Sequence, residues 1–303
     1  MLKCSLAQRG ALAQPATLTS VVATRIILSH YQAQPLLRAR KAGETQVRTS
    51  VDLNLTQIHA DLTDVGVALP DGRIVRWAAI EEAAANETGC FLVDGESFEK
   101  IQTFSEDTGR VVTLYPTPAA PTILISGIAM HRIKGSNPYQ DTLTKVRAIA
   151  PISGRVLDTT TGLGYTACHA SRSARRVITI ELDPAVLAIA WLNPWSKELF
   201  ESPKIEQLLG DSFDVVNGFR DEAFDCIIHD PPQFSLAGEL YSGELYARML
   251  RILSRGGKLF HYIGDPASKS SGSVTRSVVR RLKEAGFRDV TPHPEAFGVT
   301  AAR

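Results

Sequence analysis

From Asn137-Pro138 onward the sequence alternates between apolar runs of strand length and half-apolar stretches of helix length. That alternation builds a parallel sheet covered by helices on both faces. Read in order, it predicts helix 141–150, strand 155–158, helix 165–174, strand 177–181, helix 184–191 and a strand near 204–209. Strand 224–229, helix 237–253, strand 258–263, helix 274–285 and two last strands around Asp289 and Gly298 complete the series.

The first half reads differently. Up to about Lys134 the segments are short and β-like, with strands expected at 45–51, 57–69, 73–77 and 109–115 and a helix at 78–85. Pro70-Asp71-Gly72 and Asp94-Gly95 supply turns. The change of texture near Gly135 predicts a small α+β N-terminal domain, residues 1–135, that docks substrate, followed by an α/β catalytic domain, residues 136–303. A chain of 303 residues suits two domains.

Composition narrows the function classes. With 44% hydrophobic and 21% charged residues, wholesale disorder and fibrous structure are excluded. Cys4, Cys90, Cys168 and Cys226 are scattered without a CxxC pair, so no metal site is expected and a reduced, cytoplasmic setting is the simpler reading. No window approaches the roughly 20 apolar residues of a membrane span, and neither a signal peptide nor a transmembrane helix is expected. A net charge of +1 gives no whole-chain argument for nucleic acid. Before Glu44, however, every charged residue is basic: Lys3, Arg9, Arg25, Arg38, Arg40 and Lys41. This reads either as a polyanion-binding arm or organellar presequence, or as a frayed terminus followed by one ordinary helix.

The chemistry gathers at the ends of the predicted strands. Asp158 runs into Thr159-Thr160-Thr161-Gly162-Leu163-Gly164-Tyr165 ahead of a helix, a turn whose glycines let backbone approach a ligand. A nicotinamide site is the rival, because Gly162 to Ala167 fits GxGxxA and Glu181 ends the next strand. Against it, an acid and three threonines stand where a pyrophosphate loop brings its first glycine. An acid there repels phosphate and suits a ligand with an ammonium group, such as the amino-acid end of S-adenosylmethionine. Glu181 then suits the ribose hydroxyls and Asp211 the adenine amine, with capping or turn roles as the plain alternatives.

The succession DTTTGLG, ITIELDP, LLGDSF, FDCIIHDPPQFS and LSRGGKLFHY resembles motifs I to V of the class I, Rossmann-like methyltransferases. More narrowly, SGIAMHR, DTLTK, LDTTTGLGYTA and DPPQFSLAGELYS resemble a family of predicted methyltransferases known chiefly from archaea, over residues 29–303. The resemblance implies a seven-stranded, mostly parallel sheet and S-adenosyl-L-methionine as cofactor, held by Asp158, Thr160, Gly162, Gly164, Glu181, Asp211 and Asp230. Thr160 replaces the usual first glycine of motif I, where its hydroxyl either meets the cofactor carboxylate or tightens the turn.

Asp230-Pro231-Pro232-Gln233-Phe234 follows a strand and resembles the D/N-P-P-Y/F loop of methyltransferases that act on exocyclic amines of bases. There the acid and a proline carbonyl orient the amine and the aromatic ring stacks on it, so Asp230, Pro231, Pro232 and Phe234 form the expected catalytic set. The inserted Gln233 departs from the pattern. Cys226 falls inside a strand and Cys168 inside a helix, so no thiolate is placed for carbon methylation, and an amine or ring nitrogen is the better acceptor. Two basic stretches flank the expected site: the flexible Lys269 to Arg276 with Arg280, Arg281 and Lys283, and His131-Arg132 with Lys134. His131, Arg132, Lys269 and Arg276 are expected to bind substrate phosphates.

The leading expectation is N-methylation of a base amine in RNA. A small-molecule amine methyltransferase or polyamine-type aminopropyltransferase is the alternative, although the latter usually carries an unbroken glycine run. The non-enzyme reading is a binding or assembly protein that keeps the fold without turnover.

Overall fold

The computed structural model describes residues 25–232, 237–265 and 271–303. Seven strands form one mixed sheet: β1 (Arg155–Asp158), β2 (Arg176–Glu181), β3 (Ile205–Leu209), β4 (Phe224–His229), β5 (Leu253–Tyr262), β6 (Arg288–His293) and β7 (Gly298–Ala302). Their spatial order is 3-2-1-4-5-7-6. The first five run parallel, and β7 lies antiparallel between β5 and β6. Among the described residues, seven helices accompany them: α1 (Pro138–Ile149), α2 (Tyr165–Ser171), α3 (Pro184–Leu192), α4 (Lys197–Glu201), α5 (Ser212–Val215), α6 (Gly243–Ile252) and α7 (Ser271–Glu284). This is the expected Rossmann-like α/β sheet. The order reverses between β1 and β4, and in open α/β sheets ligands bind outside the carboxyl ends of the strands at that point.

Local chemistry explains the helix starts. Asn137 caps α1 by accepting from the Gln140 N–H, and Pro138 fills the first helical position, where a missing N–H costs nothing. Asp183 and Pro184 do the same for α3. The helix expected over 237–253 is divided, because Ser242 accepts from the Leu245 N–H and caps α6, leaving Gly238–Tyr241 as a separate 3-10 turn. Helix α7 begins at Ser271, ahead of the expected 274, so residues 271–273 of the stretch expected to be flexible are helical as well, and Arg276 lies on the helix as the 274–285 expectation had it.

Residues 25–129 form three small antiparallel sheets and the helices His30–Lys41 and Trp77–Ala85, which pack on one another. The single strand expected over 57–69 is a hairpin of Ile58–Leu62 and Gly66–Ala68, turned where Thr63 Oγ1 donates to the Gly66 carbonyl. At Gly66 a β-carbon would lie 2.2 Å from the Val75 carbonyl oxygen, so only glycine fits. This half has its own apolar core around Leu36, Trp77 and Ile80. A second core is continuous across the change of texture near 135, joining Ile27, Cys90, Leu114 and Ile123 to Val156, Leu163 and Val177. The break in sequence pattern is therefore no break in packing. Among the described residues, no helix is long and apolar enough to cross a membrane.

Candidate active site

A cavity of about 370 Å³ opens at the C-terminal edge of the sheet. Its floor is the turn between β1 and α2. Gly162 and Gly164 hold φ of 53° and 74°, the left-handed region that glycine enters without strain. A β-carbon on Gly164 would approach Leu199 to 2.6 Å, whereas one on Gly162 would meet nothing within 4 Å.

The three threonines of this turn bind protein. Thr159 Oγ1 pairs with His229 Nδ1 at 2.7 Å, Thr160 Oγ1 donates to the Asp230 carbonyl at 2.7 Å, and Thr161 Oγ1 lies 2.7 Å from Thr179 Oγ1. Of the two roles open to Thr160, the geometry fits the second: it ties the glycine turn to the Asp230 loop. His229 Nε2 sits 2.8 Å from the Leu240 carbonyl and must donate to it, which leaves Nδ1 to accept from Thr159. Burial pushes the His229 pKa down to about 4, so the ring is neutral.

The acids divide by depth. Asp158 is fully buried beneath the turn, where Oδ2 accepts from Thr166 and Thr179 while Oδ1 has no partner. It does not line the cavity, contrary to the direct ligand contact expected of it, because Thr159, Thr160 and Thr166 stand between. Burial pushes its pKa up to about 7. Glu181 does line the cavity, its two oxygens fixed by the backbone N–H groups of Gly162 (2.8 Å) and Asp183 (3.1 Å). Burial outweighs those two bonds and pushes it up to about 7. Each oxygen keeps a lone pair for a diol. Asp211 caps α5 through the Phe213 N–H and also lines the cavity.

Asp230, Pro231 and Pro232 line the other end. Asp230 is already paired: Lys145 Nζ reaches Oδ1 at 3.0 Å and Oδ2 at 2.7 Å. The same ammonium lies 2.9 Å from Asp141, which Arg132 also contacts. Arg132 in turn covers the Phe297 ring at 4.0 Å. Burial alone would lower the Lys145 pKa, but Asp230 and Asp141 outweigh it and raise it. The Pro232 carbonyl accepts from the Tyr241 hydroxyl at 3.0 Å. Phe234 lies outside the described residues.

The expected phosphate contacts are dispersed. His131 lines the cavity, but burial, aided by the charge on Lys145, pushes its pKa down to about 4, so it carries no positive charge. Arg132 is committed to Asp141. Arg276 lines a separate shallow groove with Arg280 and Pro292, and Lys269 falls outside the described residues. The buried thiols of Cys168 and Cys226 are pushed up to about 12 by burial, so neither supplies a thiolate to the loop.

Sequence reasoning missed one wall. Thr108, Arg110, Ile123, Ile125 and Met130 from the N-terminal half close the cavity opposite the sheet. Ser105 and Thr108 donate to Asp183 at 2.8 Å each, fastening that hairpin to the cap of α3. Period-2 patterning marks such strands but does not say what they face. Lys145 was missed as well, although Asp141 and Lys145 at i, i+4 were a visible signal for a charged pair on one helix face.

No family model matches the chain. Over 132 residues it is 29% identical to a polyamine aminopropyltransferase of Mycobacterium tuberculosis, which covers 41% of this chain and 25% of that enzyme. The chain thus spans about a quarter of that relative's length. A solved spermidine synthase in complex with the transition-state analogue AdoDATO superposes with a TM-score of 0.55 at 18% identity, covering 66% of this chain and 72% of that one. That likeness is one of fold. Over 265 residues the chain is 43% identical to the uncharacterized protein MJ1233 of Methanocaldococcus jannaschii, covering 85% of this chain and 90% of the relative. At that identity and coverage, the chain belongs to the same family as MJ1233.

Proposed function

We propose that this protein is an alkyltransferase that takes a group from an S-adenosyl sulfonium donor and delivers it to an amine nitrogen. One observation carries the reading. The glycine turn, Glu181 and Asp211 share a single cavity with the Asp230-Pro231-Pro232 loop, so a donor bound at one end would present its sulfonium to an amine at the other. Glu181 suits the ribose diol, and Asp211 and Ser212 face the same end. Transfer forms an N–C bond and breaks a C–S bond, whose electron pair leaves with a neutral thioether. The sulfonium is itself a good leaving group, so alignment is the main task for the protein.

A small amine of the polyamine class is the acceptor we favour. The matching polyamine aminopropyltransferases support it, as does the wall from the N-terminal half, which narrows the approach to Asp230. N-methylation of a base amine in RNA is the second reading, and it rests on the Asp230-Pro231-Pro232 loop. A base would have to be flipped out to reach that loop.

The two are separated by offering S-adenosylmethionine or its decarboxylated form with either a polyamine or total RNA, and identifying the thioether and the modified product by mass spectrometry. Methylthioadenosine with an elongated polyamine is the expected result. S-adenosylhomocysteine with a methylated nucleoside would establish the RNA reading instead. Preferential binding of NADH with neither thioether formed would overturn both.

A further inference from the structure

We propose that Lys145 is a positioning residue, an internal ammonium that holds Asp230 as a carboxylate aimed at the acceptor nitrogen. The inference deepens the alkyltransferase reading and rests on it.

Lys145 is 2% exposed, and its Nζ has three neighbours: both oxygens of Asp230, and Asp141. The Tyr262 ring covers it at 4.5 Å. As an ammonium it has no lone pair, so it does not serve as a base. Its effect falls on Asp230. A carboxylate held by both oxygens cannot rotate, and each oxygen keeps one lone pair for an acceptor N–H. The ends of this device belong to different elements: Lys145 and Asp141 to α1, Asp230 to the end of β4, Arg132 to the segment before α1 and Tyr262 to β5. Arg132, Asp141, Lys145 and Asp230 together sum to zero charge.

An alkylammonium could pair with Asp230, but it lacks the lone pair needed for attack. The neutral amine has one: its N–H donates to Asp230 while its lone pair faces the donor carbon. After transfer the nitrogen is a protonated secondary amine, and it carries the proton away with the product. Asp230 orients the acceptor without taking a proton, and no separate base is needed.

The test uses the full chain with Lys145→Met, Lys145→Arg, Asp230→Asn and the Lys145→Met/Asp230→Asn double variant. In Lys145→Met, kcat/KM for the amine should fall about 100-fold, the order expected when alignment is lost. Donor affinity by calorimetry should change by less than about threefold. Asp230 is faced by Lys145, Asp141, Arg132, Tyr262, Tyr241 and Asp158. Of these only Lys145 is being removed, so the acid limb of the pH profile should move to higher pH. Lys145→Arg should keep activity within about tenfold of wild type. The double variant should be no worse than Asp230→Asn alone, because Lys145 acts through Asp230. It also lacks an unpaired carboxylate at 230, so it serves if Lys145→Met fails to fold. A wild-type rate and pH profile in Lys145→Met, or multiplying losses in the double variant, would overturn the proposal. Infrared spectroscopy of the ligand-free protein keeps this separate from failure of the alkyltransferase reading. At mildly acidic pH Lys145→Met should show a carboxylic-acid band additional to those that Asp158 and Glu181 give in wild type, and that additional band should vanish in the double variant. Should no donor be turned over, the presence or absence of that band still decides the role of Lys145.

Discussion

Asp158 and Glu181 end neighbouring strands, and burial pushes both up to about 7, yet their surroundings differ. Glu181 faces the cavity with two backbone N–H groups on its oxygens, an arrangement that favours the ionised form. Asp158 accepts from the Thr166 and Thr179 hydroxyls through Oδ2, and its Oδ1 has no hydrogen-bond partner. Because the folded-state pKa of Asp158 lies above its unfolded value, the native protein holds a proton there that the unfolded chain releases. Stability from this group is present below the unfolded pKa and is lost as pH rises through the folded one, a window of about 4 to 7. Asp158→Asn keeps an acceptor for Thr166 and Thr179 and abolishes the titration. The variant should therefore be more stable than wild type above about pH 7, by at most about 4 kcal/mol for a shift of some three pH units. Urea unfolding on both sides of the window measures this. An unchanged difference between the two proteins would show that Asp158 does not titrate there.

At the scale of elements, the turn between β1 and α2 makes opposite demands at its two glycines. Gly164→Ala adds left-handed strain to a clash with Leu199, whereas Gly162→Ala adds only the strain and projects a methyl where nothing lies within 4 Å. Gly164→Ala should destabilise the fold by more than about 2 kcal/mol, and Gly162→Ala by about 1 kcal/mol. Gly162→Ala should nonetheless lose more donor affinity than stability, since its methyl enters the cavity. Thermal melts and calorimetry with S-adenosylhomocysteine report the two effects, and equal behaviour at both positions would refute the distinction. The same elements show what a sequence can reveal. Strands β1 and β4 lie where their apolar runs predict, because a strand buried on both faces needs side chains of one kind throughout. The pairing of Lys145 with Asp230 was not legible, because it joins a helix to a strand end 85 residues away and depends on how the two pack. Phosphate contacts were over-read at Arg132 for the same reason: local charge does not disclose a buried partner such as Asp141.

Taken whole, the molecule has two sheet types and one continuous core between them. Trp195 donates from its indole to the Leu53 carbonyl at 3.0 Å, and Tyr165 from its hydroxyl to the Pro121 carbonyl at 2.9 Å, so polar contacts cross the same seam as the apolar ones. A core shared in this way should unfold in one cooperative transition. Calorimetry decides it: two resolved transitions would mean that residues 1–135 and 136–303 fold independently. The neutral quartet of Arg132, Asp141, Lys145 and Asp230 has a further consequence over evolutionary time. Removing one buried charge leaves its partner uncompensated, at a cost of about 3 to 5 kcal/mol, whereas exchanging both members for neutral groups can cost almost nothing. Drift at this site therefore proceeds by compensated replacements, and a descendant that abandons the lysine at 145 will have abandoned the acid at 230 with it.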